Sequence, residues 1–446
     1  MASIKKPRHG ELAARLEAFL RQSVPIGQRL LLGLSGGLDS CVLLYLLAGL
    51  RAECGFELAA LHVNHGISPR ADEWQQFCAE VCAALQVPFG VQRVVVPRDG
   101  GLGLEAAARA ARYAALLAQP ADRVVLAHHM DDQAETLLLQ LLRGAGIRGL
   151  AAMPVQSEGN GRAPAILRPL LDIPRATLFA YARAHHLVWI EDESNLDLAY
   201  DRNFLRHHIF PELEQRFPAS RSTLARSAAH LAEAAALLDE VARDDAARWI
   251  GQGRLDVAGL RILSEPRAKN LLRHWLSACV TNMPSTGRLQ DIYRQLLDAR
   301  PDAMLGIALE GGQVRRYRGK AWFEQRISTT RPETLEWHGE SELRLSGGQL
   351  LFRHAMGAGI SVARLAGDPL QIRQRSGGER LRLHQHGPAR SLKNLFQEAA
   401  VPAWQRMTLP LLYWRDELIA VPGIGVASAW QAGMGEEGLL SEWRRD

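Results

Sequence analysis

The segment LLLGLSGGLDS (30–40) reads as a strand, a glycine-rich turn and the start of a helix. Gly36 and Gly37 can adopt backbone angles that other residues resist, which lets main-chain N–H groups point inward at an anion. Ser35 and Ser40 add hydroxyl donors, and the following helix directs its positive end at the same point. Together these make a phosphate cradle. It lacks the lysine of G-x-x-x-x-G-K-[ST], so it is not an ordinary P-loop. Asp39, a carboxylate among phosphate donors, makes sense chiefly with Mg²⁺ between it and the phosphates.

A second cluster is AHHMDDQAETLLLQLLRG (127–144). Asp131 and Glu135 are four apart and Asp132 and Glu135 three apart, so on a helix they share one neighbourhood in its opening turns. Acidic residues there also compensate the helix dipole. Dipole compensation does not explain His128 and His129 directly before them, at the end of an apolar run. The combination points to acid–base or cation-binding chemistry.

Two weaker signals contain arginine pairs. In EAAARAARY (105–113), Arg109 and Arg112 share a helix face and can bind phosphate; the alternative is a solvated Glu105–Arg109 pair. In EDESNLDLAYDRNFLRHHIFPEL (191–213), Asp192, Ser194 and Asn195 suggest a loop, and Arg202 and Arg206 place two cations on one face of a short helix. That face reads equally as a solvated surface or as an RNA contact. Between Gln371 and Pro410, Arg373, Arg375, Arg380, Arg382, Arg390, Lys393 and Arg406 face only Glu379 and Glu398, an excess equal to the net charge of the whole chain, +5. A basic stretch of this kind suggests a polyanion partner.

Positioning these groups requires a scaffold. RLLLGL (29–34), FELAALHV (56–63), FGVQRVVV (89–96) and RVVLAH (123–128) read as buried strands, and Asp39–Leu50, Ala71–Gln86, Leu104–Ala118 and Asp131–Arg143 as helices. Such alternation predicts βαβ units in a doubly wound, mostly parallel sheet, whose ligands bind beyond the carboxyl ends of the strands. Residues 11–22 predict an amphipathic surface helix rather than a signal peptide. Ser222–Ile250 predicts a long helix with Leu224, Leu231 and Leu238 on one face. Pro266–Arg300 reads as helical, Gly311–Gln325 as a hairpin turning at its Gly-Gly pair, and 327–360 as a linker. The last 80 or so residues read as short strands with one helix, Leu392–Ala400.

The 446 residues favour several domains, and 47% hydrophobic with 23% charged residues is ordinary for a soluble protein. Five cysteines without a C-x-x-C pair supply neither a disulfide framework nor a metal set, which fits a reducing, cytoplasmic setting. Cys78 and Cys82 read as core packing. Leu30–Leu50 is long enough to span a bilayer, but Asp39 near its centre argues against a membrane role.

SGGLDS resembles the signature PP-loop of the N-type ATP pyrophosphatases, which cleave ATP between the α and β phosphates and adenylate a substrate oxygen. Taken with HVNHG (62–66), EAAARAARY, HHMDDQAET, DESN…DRNFLR and the C-terminal RQRSGGERLRL…PLLYWRDELIAVPGIG (373–425), the chain is similar to the tRNA(Ile)-lysidine synthetases. One departure is Ala127, where that pattern has glycine. The resemblance implies a Rossmann-like α/β catalytic domain (1–215), a helical middle domain (216–330), a linker (331–360) and a small α+β, tRNA-binding C-terminal domain (361–446). It implies adenylation of C2 of the wobble cytidine in a minor isoleucine tRNA with a CAU anticodon, then attack by the ε-amine of free L-lysine, with no obligatory protein partner. ATP phosphates would lie on Ser35, Gly36, Gly37, Leu38, Asp39 and Ser40, near Arg109 and Arg112. Asp39 and Asp132 would hold Mg²⁺, and Asp132, Glu135 and His128 would serve the chemistry. RNA would meet Arg202, Arg206, Arg373, Arg375, Arg380, Arg382, Lys393 and Arg406.

Elementary chemistry agrees. An amine with a pKa of about 10.4 is neutral in roughly one molecule in 2,500 at pH 7, a penalty of about 4.6 kcal/mol. A site using it needs carboxylates that bind the ammonium and accept its proton. Asp131, Asp132 and Glu135 are candidates, and spacing does not choose the base among them. The competing readings are another adenylating enzyme with the same loop, such as a tRNA thiolase or a small-molecule ligase, and a non-catalytic RNA-binding protein.

Overall fold

A computed structural model describes residues 9–96, 104–159, 163–300, 305–326, 334–345 and 347–445. The chain divides into two compact units, Met1–Glu240 and Val241–Asp446.

The first unit opens with α1 (His9–Ser23), whose four-residue spacing of Leu12, Leu16 and Leu20 buries one stripe. There follow β1 (Arg29–Gly33), α2 (Leu38–Cys54), β2 (Glu57–Asn64), α3 (Ala71–Ala84), β3 (Phe89–Arg93), α4 (Leu104–Leu117), β4 (Arg123–Val125) and α5 (Met130–Leu142). The apolar run 30–50 is thus a strand, a turn and a helix. No helix among the described residues is long and apolar enough to cross a membrane. After α6 (Ile147–Leu150), β5 (Gln156–Ser157) and β6 (Ala165–Leu167) complete a six-stranded sheet of order β3-β2-β1-β4-β6-β5, parallel except for β5. The chain winds outward from β1 through β2 to β3 and then returns to place β4 on the other side of β1. The crevice between the ends of β1 and β4 is therefore the topological switch point, where ligands bind in such sheets.

α7 (Arg175–Ala184), α8 (Asp201–Phe204), a π-helical turn at Leu205–Ile209, α9 (Phe210–Arg216) and the 30-residue α10 (Ser220–Trp249) follow. The core joins Leu12, Leu16 and Leu20 to Leu30, Leu32, Leu43, Leu47, Val125 and Leu167. α2 is buried on most of its faces, since it packs between α1, α7 and β2. The division between units falls inside α10, at 240/241 rather than at the expected 215/216. The reason lies in packing: Leu224 sits against the small core of Ala134, Leu205 and Phe210, tying the start of α10 to the first unit.

In the second unit, β7 (Ile250–Gly251), β8 (Arg254–Asp256), β9 (Gly306–Leu309), β10 (Gly312–Tyr317) and β11 (Lys320–Gln325) form an antiparallel sheet. α11 (Val257–Ile262), α12 (Glu265–Ser277) and α13 (Thr286–Asp298) share a core with it around Leu271, Leu272, Ile292 and Val314. The middle segment thus adds a sheet to its expected helices, and the expected helical run 266–300 is two helices. The expected hairpin is also corrected. Glu310-Gly311 turns β9 into β10, with Gly312 already paired to Leu309, whereas β10 and β11 turn at Arg318-Gly319.

The stretch 331–360 is not a linker where it is described. β12 (Leu335–Trp337) pairs with β16 (Leu370–Arg373), and β13 (Glu342–Leu345) with β14 (Gly348–Met356), which pairs along its length with β22 (Glu437–Arg445). Residues 327–333 of that expectation lie outside the described residues. β15 (Ile360–Ser361), α14 (Val362–Leu365), β17 (Arg380–Leu381), β18 (Arg390–Ser391), α15 (Leu392–Glu398), β19 (Leu411–Trp414), β20 (Glu417–Val421) and β21 (Gly425–Val426) complete this part. Its own core runs from Trp337 and Leu350 through Phe396 to Leu411 and Ile419.

Candidate active site

The turn after β1 is built as its sequence suggests. Gly36 takes φ +84°, an angle that favours glycine, and a Cβ there would stand 2.6 Å from Ile190 Cδ1, which would have to move. Ser35 Oγ lies 3.0 Å from Ser40 Oγ, accepts the Gly37 N–H at 3.3 Å, and Ser40 donates to Gly37 O at 3.0 Å. These bonds hold the hydroxyls at the mouth of the turn. Leu38 is buried, so only its backbone can serve an anion.

The turn opens on a cavity of about 670 Å³. Ser35, Gly37, Asp39 and Ser40 line it from the turn after β1 and the start of α2, His128 and Asp132 from the end of β4 and the start of α5, and Arg109, Arg112 and Tyr113 from α4. Arg202 and Arg206 complete the wall. The cradle and the acidic turn therefore meet in one space.

His129 joins them. Its Nε2 stands 3.5 Å from Asp39 Oδ2 and 3.5 Å from Asp132 Oδ2, and its backbone N–H donates to Asp132 Oδ2 at 2.9 Å. Burial opposes a charge on this imidazole, but Asp132 and then Asp39 outweigh it and hold its pKa above the ordinary value. His128, its neighbour, has the opposite fate. Burial pushes its pKa down to about 3, and the charges of Arg109, Arg168 and Arg112 add to that effect against the pull of Asp132. At neutral pH it is an uncharged group on the cavity wall. Of the two histidines, sequence reasoning favoured His128 and missed the bridging role of His129. Strand alternation places neighbours on opposite sides, but a pair at a strand's end gives no signal for which one faces the acids.

Glu135 departs from expectation. It is 0% exposed and does not line the cavity. Arg202 Nε donates to Glu135 Oε2 at 2.7 Å, while Arg206 donates through Nε to Oε1 at 2.8 Å and through Nη2 to Oε2 at 2.9 Å. Arg202 also donates to Asp132 Oδ1 at 2.6 Å. A carboxylate so enclosed cannot meet a substrate ammonium in this conformation; it anchors the arginines, and through Arg202 it orients Asp132. The same bonds correct the RNA-contact assignment of Arg202 and Arg206, whose guanidinium groups turn inward onto carboxylates. Burial resists ionisation of Asp132, but His129 and then Arg202 overcome that and hold its carboxyl well below the usual range.

Two further groups have structural tasks that the sequence did not show. Asp131 accepts the Arg175 backbone N–H at 3.0 Å and lies 3.4 Å from Arg221, so it staples α5 to the starts of α7 and α10. Tyr113 accepts from Arg109 at 3.4 Å and Arg168 at 3.3 Å. Arg112, by contrast, has no hydrogen-bond or ion-pair partner among the described residues, and burial followed by repulsion from Arg109 pushes its pKa down. A cation without a partner in a cavity wall attracts an anion.

For Mg²⁺ the fit rests on Asp39. Its Oδ1 is buried without a hydrogen-bond partner, with Arg175 Nε 3.8 Å away. Among the described residues no three His, Cys, Asp or Glu side chains form a metal-holding group. One or two carboxylates completed by phosphate oxygens and water is the usual habit of Mg²⁺, and Asp39 with Asp132 fits it.

Cys41, Cys78 and Cys82 are buried, as expected of core residues. Burial pushes the Cys41 thiol up to about 12 and that of Cys82 up to about 11, and raises that of Cys78 as well. None offers a thiolate for sulfur transfer.

The basic stretch is less uniform than its composition. Arg373 is bound to Asp416 at 3.0 Å, Arg375 to Glu379 at 3.2 Å and Arg390 to Glu398, while Arg406 donates to Val401 O at 2.9 Å. Pairing removes Arg373 and Arg375 from the free charge. Arg380 donates to Ala389 O at 2.5 Å and lines, with Arg382, a cavity of about 550 Å³; Lys393 is exposed on α15.

A phosphate cradle at the switch point of a parallel sheet, facing an acidic helix start, defines an ATP-utilising PP-loop domain. Comparison with known proteins agrees: the PP-loop domain family matches residues 9–213, the TilS substrate binding domain 255–322 and the TilS substrate C-terminal domain 370–443. The tRNA(Ile)-lysidine synthase of Nitrosomonas europaea is 46% identical over 428 residues, covering 95% of this chain and 93% of that protein. Those of Ralstonia nicotianae (46%, 91% and 93% covered) and an Azoarcus species (44%, 97% and 96% covered) are similar throughout. The chain belongs to the tRNA(Ile)-lysidine synthase family.

Proposed function

We propose that this chain carries out ATP-dependent lysidine formation on the minor isoleucine tRNA with a CAU anticodon, in the cytoplasm, without an obligatory protein partner. The observation that carries this reading is the convergence of Asp39 and Asp132 on one cavity, joined through His129.

In the first step the C2 oxygen of the wobble cytidine attacks the α-phosphorus of ATP, and pyrophosphate leaves. The backbone N–H groups of 36–40 and the hydroxyls of Ser35 and Ser40 bind the phosphates, and the unpartnered Arg112 adds positive charge to the cavity wall. Asp39 and Asp132 would hold Mg²⁺, which when bound supplies charge neutralisation at the phosphates. In the second step the ε-amine of free L-lysine forms a bond to C2, AMP leaves with the C2 oxygen, and the amine loses protons. Asp132, kept ionised, is placed to bind the ammonium. His128, uncharged and with a pKa of about 3, is a poor proton acceptor and stands on the cavity wall as a neutral group. Arg380, Arg382 and Lys393 remain as the C-terminal groups proposed to touch RNA backbone.

The test supplies labelled lysine, ATP and a transcript with a CAU anticodon. ATP-dependent label on the RNA, with AMP and pyrophosphate released, is the expected result. Folded protein that releases pyrophosphate but transfers no label would remove lysine as the substrate.

A further inference from the structure

His62 takes no part in the steps above. It sits near the end of β2, one residue beyond Leu61, which pairs with Gly33 at the entry to the phosphate turn. Only 5% exposed, it nevertheless forms part of the cavity wall. Its Nδ1 lies 3.0 Å from the carbonyl oxygen of Leu34. A carbonyl oxygen can only accept, so Nδ1 carries a proton. Burial pushes the ring's pKa below its ordinary value, outweighing the raising effect of that bond, and the imidazole is uncharged at neutral pH. Nε2 then holds a lone pair. Among the described residues Nε2 has no hydrogen-bond partner, and it is not sealed away from the cavity. The fold thus fixes one tautomer and aims an acceptor at whatever the cavity holds.

We propose that His62 is a specificity-determining residue: Nε2 accepts a hydrogen bond from the exocyclic amino group of a base bound in the cavity. The inference rests on the reading that ATP and the wobble cytidine meet here. Both the 6-amino group of adenine and the 4-amino group of cytosine present an N–H donor beside a ring nitrogen, and their keto counterparts present an oxygen there instead. A fixed lone pair welcomes the first and repels the second. Sites built to bond a substrate N–H reject analogues lacking it far better than apolar pockets do.

Two substitutions separate this role from packing. In His62→Asn a side-chain N–H can still reach Leu34 O, but nothing occupies the Nε2 position. In His62→Gln an amide oxygen can reach that position. The first competition sets ATP against purine riboside triphosphate, which lacks the amino group, with pyrophosphate release as the readout. The second sets transcripts with cytosine against pyrimidin-2-one at the wobble position, scored by label transfer. The unaltered chain should prefer the amino-bearing partner by about tenfold in one arm. His62→Asn should lose that preference, and His62→Gln should keep part of it. The arm in which preference collapses names the base. Preference retained by His62→Asn in both arms, or absent from the unaltered chain in both, overturns the proposal. Should His62→Asn fail to fold, the unaltered chain and His62→Gln still decide. Failure of the unaltered chain to make any lysidine would instead bring down the functional reading, and this inference with it.

Discussion

Asp39 and Asp132 come from segments 93 residues apart, yet a carboxylate oxygen of each lies 3.5 Å from the same nitrogen, His129 Nε2. The parallel sheet causes this. β1 and β4 are neighbours, with Leu32 opposite Val125, so the turn leaving one and the helix leaving the other begin side by side. Phosphate donors and carboxylates are thereby held at one edge by the backbone, before any ligand arrives.

Asp39→Asn keeps the shape of the side chain but removes the charge proposed to hold Mg²⁺. Pyrophosphate release should fall by at least about 100-fold, the scale of several kcal/mol lost at the transition state. Filter binding of the tRNA should stay near the parental value. Undiminished pyrophosphate release would exclude the metal role.

Arg206→Ala should act on stability before it acts on RNA. It leaves Glu135, 0% exposed, with Arg202 and the more distant Arg221, 3.9 Å away, and breaking a buried pair costs about 3–5 kcal/mol. Thermal unfolding of the variant should begin at a lower temperature, with Arg206→Lys recovering part of the loss. Parental unfolding combined with weakened tRNA binding would return Arg206 to the RNA surface.

Acid should destabilise the protein partly through His128. Its pKa of about 3 in the folded state lies below the ordinary 6.5, so between those values the unfolded chain binds a proton that the folded one refuses. Stability therefore rises with pH across that window, by up to about 1.4 kcal/mol per pH unit from this group. His129, raised above 6.5, contributes in the opposite sense: its share is complete below 6.5 and fades as pH climbs through the folded value. Denaturant midpoints of His128→Gln between pH 6.5 and 4 should show a shallower acid slope than the parent. An unchanged slope would mean that His128 is not the group refusing the proton.

In the C-terminal part, reversing Arg382 and Lys393 should weaken tRNA binding and lower the slope of log K against log salt by about one for each phosphate no longer neutralised. Arg375→Ala should leave the slope alone, because Glu379 already neutralises that cation. Equal effects from both changes would restore the uniform basic patch.

Much of the first unit was legible in the sequence because its signals are local. Apolar runs of strand length alternate with helical patterns, and SGGLDS carries its own turn chemistry. The order of motifs then placed Asp39 beside Asp132 without coordinates. What could not be read depends on distant partners. Arg202 and Arg206 look like a solvated pair until Glu135, 67 and 71 residues earlier, is brought beneath them. Likewise 335–356 reads as linker because its strands are short and weakly alternating. They hold only through pairing with 370–372 and 437–445. His62 opens the HVNHG motif, but nothing local marks its role, since its tautomer is set by a carbonyl 28 residues away.

The most direct measurement is a double-mutant cycle on the rate of pyrophosphate release, comparing Asp39→Asn, Asp132→Asn and the two combined. Groups serving one reacting centre should lose little more together than singly, giving a coupling of at least about 1 kcal/mol. Losses that simply add would contradict the shared site.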